Sequence, residues 1–171
     1  MVIFRNQKGD RMADEKLNKG DNAPDFTIKD HSDNDFTLSS LKGKWVVLYF
    51  YPKDNTPGCT TEAIEFSGAK TALGKKGVVV LGVSPDSVKS HKNFMEKKDI
   101  TITLLSDPEK DALKKYGVWQ LKKNYGREYF GVVRSTFIIS QDMKVAYSWS
   151  SVKVKGHVET VEKKLEELIR G

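Results

Sequence analysis

Cys59 is the only cysteine in the 171-residue chain. It stands in Tyr51 to Ile64, YPKDNTPGCTTEAI, between a Pro-Gly turn and a helical pattern. The apolar, β-branched and aromatic run Trp45 to Tyr51 leads in as a strand, and Ala63, Ile64, Phe66, Ala69 and Leu73 come after it at helix-like spacing. Cys59 is thereby expected in the first turn of a helix, where free N–H groups and the positive end of the helix dipole favour a negative sulfur. Thiolate, not thiol, is the nucleophile, so the chemistry this segment offers is attack by sulfur. A lone cysteine is ordinarily a small buried hydrophobe. Here the polar neighbours Thr60, Thr61 and Glu62, and Thr56-Pro57-Gly58 before it, favour the reactive reading.

Thr56, three residues earlier, is placed to offer a hydroxyl to the sulfur or to cap the helix, and the two roles are compatible. Pro52 either walls the pocket or only ends the strand, and the sequence does not separate these. Arg134 opens the strand-like run RSTFIIS, where its charge is out of keeping with the apolar residues Phe137, Ile138 and Ile139. An arginine at a strand end usually reaches solvent, so position alone does not assign it to the site. His31, His91 and His157 have no ligand spacing to one another or to Cys59. No metal-site, haem or nucleotide-loop motif is present in the sequence.

The surrounding secondary structure is read from pattern. Gly20 to Asp25 is a turn cluster, and Phe26 to Lys29 with Phe36 to Leu38 flanks the polar loop HSDND as a small hairpin. Leu38 to Lys44 reads as a helical turn, and the Cys59 helix ends near Gly74 or Gly77. The apolar run Val78 to Ser84 is a second buried strand, giving a βαβ unit with parallel pairing and a right-handed crossover. Pro85-Asp86-Ser87 caps a helix to about Lys98 whose apolar positions are sparse, which predicts a surface helix. Ile102 to Leu105 reads as a strand, SDPEKDALKKYG as a short capped helix, and Val118 to Gly131 as an irregular basic-aromatic loop. Arg134 to Ser140 and Lys144 to Ser150 form a hairpin, and His157 to Arg170 an amphipathic helix. Together these predict an α/β sandwich with a central mixed sheet.

The length suits one domain with a single core. One cysteine excludes an intramolecular disulfide, which fits a reducing compartment. No signal-peptide core or membrane-length apolar run is present in the sequence, so a cytoplasmic, soluble protein is expected. Residues 1–11 read as an upstream-start extension or a flexible arm. Twenty-nine Lys and Arg against 23 Asp and Glu give +6, a balance that raises nucleic acid as a partner. The lysines come mostly as scattered pairs beside acidic or apolar residues, the pattern of solvated faces, so no nucleic-acid surface is expected.

Pro52, Thr56 and Cys59 have the form P-x-x-x-T-x-x-C, and the whole string FYPKDNTPGCTTEA resembles the bacterioferritin comigratory protein, or peroxiredoxin Q, branch of the peroxiredoxins. The similarity runs through GDNAPDFTIKD, LKGKWVVLYFYPKD, VVVLGVSPDSVKSHKNF, TLLSDPEKDALKKYGV and VVRSTFII, in that order. It implies a thioredoxin-like fold over residues 20–171, with a central mixed sheet flanked by helices and an N-terminal β-hairpin, after an N-terminal extension of residues 1–19. It further implies a thiol-dependent peroxidase in antioxidant defence that reduces hydrogen peroxide and organic hydroperoxides and needs no metal, haem or flavin.

In that resemblance Cys59 is the peroxidatic cysteine, oxidised to a sulfenic acid. Thr56 orients the peroxide, Pro52 shields the sulfur from water, Arg134 holds the thiolate and the peroxide oxygens, and Glu62 pairs with Arg134. Thr56, Gly58, Cys59 and Arg134 form the substrate-binding set. Many members of the branch carry a resolving cysteine five residues after the first. Here that position is Ile64, so the chain is of one-cysteine type, and the reductant is expected to be an external thiol such as thioredoxin, glutaredoxin or glutathione. A monomer or weak homodimer without membrane or nucleic-acid partners is expected. The competing readings are a redox sensor or relay oxidised at Cys59, and a holdase-like or nucleic-acid-binding protein whose activity survives replacement of Cys59.

Overall fold

A computed structural model describes residues 16–171; most of the N-terminal extension lies outside the described residues. Strands β1 (Thr27–Asp30), β2 (Asp35–Thr37), β3 (Trp45–Phe50), β4 (Val78–Ser84), β5 (Thr103–Ser106), β8 (Ser135–Ile139) and β9 (Val145–Trp149) form one mixed sheet in the order β2-β1-β5-β4-β3-β8-β9. The helices are α1 (Pro57–Lys75), α2 (Val88–Lys98), α3 (Asp111–Lys115) and α4 (His157–Arg170), with a 3-10 turn at Leu38–Leu41. The expected βαβ unit is β3-α1-β4, its strands parallel from Trp45↔Val78 to Phe50↔Val83. β8 lies antiparallel on the other side of β3.

Side chains alternate across the sheet, as the period of two requires. Val46, Leu48 and Phe50 face a core with Leu17, Phe26, Leu113, Tyr116 and Phe137. Val47, Tyr49 and Tyr51 face the other core, with Phe66 and Leu73 of α1, Phe94 of α2, and Val158, Val161 and Leu165 of α4. Cys59 belongs to this second layer.

Four expectations are refined. The expected irregular loop over Val118 to Gly131 is instead a regular two-stranded ribbon, β6 (Trp119–Asn124) antiparallel to β7 (Arg127–Val132). Its tip, Tyr125-Gly126, has φ of 51° and 75°, the positive values that a tight two-residue hairpin turn demands. The ribbon is mostly solvated, so no apolar alternation marks it in the sequence. Ile64, expected on the inward stripe of α1, is 46% exposed. α2 is not wholly a surface helix, since His91 and Phe94 are fully buried. Leu17, ahead of the expected domain start, is buried in the core.

Candidate active site

The loop from the end of β3 delivers the chain to α1 with Thr56 at the N-cap, Pro57 at N1, and Cys59 two residues on. Proline suits N1 because the N–H it lacks would have no helical partner. The Cys59 side of α1 packs onto β3 and β4 through Ala63, Phe66, Ala69 and Leu73. The residue is 1% exposed.

Arg134 sits in the two-residue link between β7 and β8. Its Nη2 donates to Cys59 Sγ at 3.1 Å and its Nη1 to Glu62 Oε1 at 2.6 Å. The guanidinium thus reaches inward from a strand end rather than to solvent. Its side chain is 16% exposed, and that of Glu62 is fully enclosed. A Cβ at Gly58 would stand 3.4 Å from Arg134 Nη2, so the first turn of α1 passes directly beside the cation. Three of the residues singled out in sequence, Cys59, Glu62 and Arg134, are therefore joined.

Thr56 differs from both readings of its hydroxyl, which donates to Lys53 O at 2.9 Å and makes no side-chain cap bond. Only its carbonyl serves the helix, accepting from Thr60 N at 2.9 Å. Pro52 is partly buried in the loop between Tyr51 and the helix.

Burial pushes the Glu62 carboxyl up to about 7, against the downward pull of Arg134. Burial alone would weaken the Arg134 charge, but Glu62 and Cys59 more than offset it and hold the guanidinium firmly cationic. Behind this group His157 accepts or donates one bond, Nε2 to Thr136 Oγ1 at 2.8 Å. Its ring is edge-on to Phe66 and Trp149. Burial, and then the charge of Arg134, lower His157 to about 4, so the imidazole is neutral at physiological pH. The Tyr49 hydroxyl and Glu62 Oε2 are buried without a partner among the described residues. Tyr49 and His157 were not found from sequence: one sits inside an apolar strand and the other opens a helix, with no local signal of the site.

Asp54, Asp86 and His91 bring ligand-type atoms within 4.8 Å of one another. Those atoms are engaged internally: Asp86 Oδ2 accepts from Asp54 N and Ser84 Oγ, and Asp54 Oδ2 from Ser90 Oγ with His91 Nδ1 at 2.8 Å. The group is a hydrogen-bond network that ties the Asp54 loop to Asp86 and α2.

A family model described as the AhpC/TSA family matches residues 19–148. A Bacillus subtilis (strain 168) protein named Peroxiredoxin Bcp is 46% identical over 139 residues, covering 81% of this chain and 88% of the relative. A crystal structure of a cysteine-to-serine mutant of Xylella fastidiosa PrxQ superposes with a TM-score of 0.85 at 38% identity, covering 90% of this chain and 98% of that one. The Xanthomonas campestris bacterioferritin comigratory protein, whose structures address alkyl peroxide reduction, gives 0.81 at 38% identity over 84% and 92% of the two chains.

Proposed function

Since the chain belongs to the AhpC/TSA family and is a thioredoxin-fold, thiol-dependent peroxidase, we propose that Cys59 is its reacting atom and Arg134 its principal electrostatic partner. The observation that carries this is the 3.1 Å hydrogen bond from Arg134 Nη2 to Cys59 Sγ at a helix N-terminus. Fixed donors around an anionic nucleophile are what displacement at a peroxide oxygen needs.

The Cys59 thiolate attacks one peroxide oxygen; an S–O bond forms, the O–O bond breaks, and the departing alkoxide or hydroxide takes a proton to leave as alcohol or water. Sulfur becomes a sulfenic acid. With Nη1 pinned on Glu62, the planar guanidinium cannot swing, so Nη2 stays aimed at the sulfur and at charge developing beside it. The Thr56 hydroxyl, donating its own proton to Lys53 O, keeps lone pairs to accept from the peroxide O–H. Gly58 leaves the approach beside Arg134 open, and Pro52 shields the sulfur.

With one cysteine in the sequence, reduction falls to external thiols. The first attacks sulfur, releases water and leaves a mixed disulfide, and a second restores Cys59 and departs as the oxidised donor. Thioredoxin, glutaredoxin or glutathione fits this role. The substrates are hydrogen peroxide and organic hydroperoxides, the latter supported by the alkyl peroxide work on the Xanthomonas relative. We place the protein in the cytoplasm as a monomer or weak homodimer. No helix of the described residues is long and apolar enough to cross a membrane. Steady-state peroxide consumption with each thiol donor tests the reading. Turnover by the parent and none by Cys59→Ser is expected, and activity surviving that replacement overturns it.

A further inference from the structure

Asp54 is 4% exposed and His91 fully buried, and neither has a role in the chemistry above. Asp54 stands five residues before Cys59, in the loop that carries Pro52 and Thr56. Its side chain is held from three directions: Tyr51 Oη donates to Oδ1 at 2.6 Å, and Oδ2 lies 2.7 Å from Ser90 Oγ and 2.8 Å from His91 Nδ1. Its backbone N–H donates to Asp86 Oδ2 at 2.9 Å. His91 Nε2 meets Leu105 O of β5 at 2.9 Å, and a carbonyl only accepts, so this nitrogen carries a proton. The loop is thereby tied through α2 to β5, and through Asp86 to Ser84 of β4.

This anchor holds one end of a tight turn. Asn55, next to Asp54, has φ 64°, a left-handed value that asparagine adopts more readily than most residues other than glycine. The chain then turns directly into Thr56 and the first turn of α1. Tied down on one side of Asn55 by Asp54 and on the other by the helix, Cys59 is carried to Arg134.

We propose that Asp54 and His91 are positioning residues for Cys59, and that the same pair governs how readily the oxidised sulfur is reached by the thiol donor. The proposal rests on the peroxidase reading above. Fixed geometry serves the peroxide step, which needs sulfur within reach of Arg134. The same geometry opposes the thiol step. With Cys59 only 1% exposed as a residue, its sulfur does not admit another sulfur in line with its S–O bond unless the loop and the first turn of α1 shift outward. Loosening the anchor therefore moves the two half-reactions in opposite directions, which general destabilisation does not do.

The test uses Asp54→Asn and His91→Gln, with Ser90→Ala as a milder variant that removes one bond to the same carboxylate. Two rates are measured under stopped flow: oxidation by hydrogen peroxide, and attack of 2-nitro-5-thiobenzoate on preformed sulfenic acid. One or two buried hydrogen bonds to a charged group correspond to about tenfold or more in rate. We expect oxidation to fall by about that factor in the two principal variants while the thiol step speeds up, and Ser90→Ala to slow oxidation and speed the thiol step by less. Asp107→Asn is the control for destabilisation. That carboxylate is equally buried and accepts from Asp111 N and Leu113 N in α3, so both rates are expected to stay within about twofold of the parent. Anything short of opposite movement in the two rates overturns the proposal. A parent that does not react with peroxide would instead overturn the peroxidase reading itself.

Discussion

Arg134 is 75 residues from Cys59 along the chain, and its Nη2 lies 3.1 Å from the sulfur. Strand register produces this proximity. β8 runs antiparallel to β3 and its first residue, Ser135, pairs with Phe50; Arg134, one residue before, is level with Tyr51, where the chain leaves the sheet for the Cys59 loop. The second arm of the guanidinium is spent on Glu62, so orientation as well as charge is set before substrate arrives.

Replacing Arg134 with Met is expected to keep the fold and slow peroxide reaction by about ten- to a hundredfold, the equivalent of one charge-assisted hydrogen bond worth roughly 1.5 to 3 kcal/mol. Lys should recover only part of the loss, because an ammonium supplies charge without the fork that reaches Glu62 and Cys59 together. Rates are compared at a pH where ultraviolet absorbance shows the sulfur ionised in every variant. A Met variant as fast as the parent there removes the transition-state role.

Peroxide alone in excess should carry Cys59 through sulfenic to sulfinic and sulfonic acids, since no second cysteine in the sequence traps the intermediate. One equivalent in the presence of glutathione should give the mixed disulfide, read by intact mass. A product dominated by Cys59–Cys59 linked dimer would mean that the resolving thiol comes from a second copy.

The strand–loop–helix around Cys59 was legible in sequence because three signals agree there: an apolar run, a Pro-Gly turn, and helical spacing after it. The ribbon from Trp119 to Val132 was not, because both of its faces meet solvent and its lysines and aromatics carry no period. Arg134 was doubtful by position, and only the resemblance assigned it, since cross-strand register is a tertiary fact that no local window contains. The same holds for Asp54 and His91, 37 residues apart, which meet only because β5, β4 and β3 lie side by side.

Glu62 gives the site a pH-dependent energetic signature. Its carboxyl rises from 4.5 to about 7 on folding, chiefly through burial. Between those values the folded state therefore holds more proton than the unfolded one, and stability from this group falls as pH rises across that window. Glu62→Gln abolishes the dependence. The stability difference between the Gln variant and the parent should shift in favour of Gln by on the order of 3 kcal/mol from pH 4.5 to above 7, then level off. Urea titrations at several pH values measure it, and a difference independent of pH means that Glu62 is already ionised throughout.

The wall behind the site is packed tightly enough for one methyl group to register. A Cβ at Gly82 in β4 would stand 2.7 Å from Tyr49 Cζ, 2.8 Å from Tyr49 Oη and 2.8 Å from Leu104 Cδ2, closer than carbon atoms approach without displacement. Tyr49 is stacked on Phe66 of α1 with ring centroids 4.7 Å apart, so displacing its ring pushes on the helix that carries Cys59. Gly82→Ala should therefore cost about 1 to 3 kcal/mol of stability and, by tilting α1, also slow the peroxide reaction. Gly68, in the middle of α1, meets nothing within 4 Å, so Gly68→Ala should stabilise by roughly 0.5 to 1 kcal/mol through helix propensity alone and leave the rate unchanged. Denaturant unfolding and stopped-flow oxidation of the two alanine variants decide the matter. Equal stabilities would show that Tyr49 has room to move, and a destabilised Gly82→Ala protein with an unaltered rate would show that its displacement stops short of Cys59.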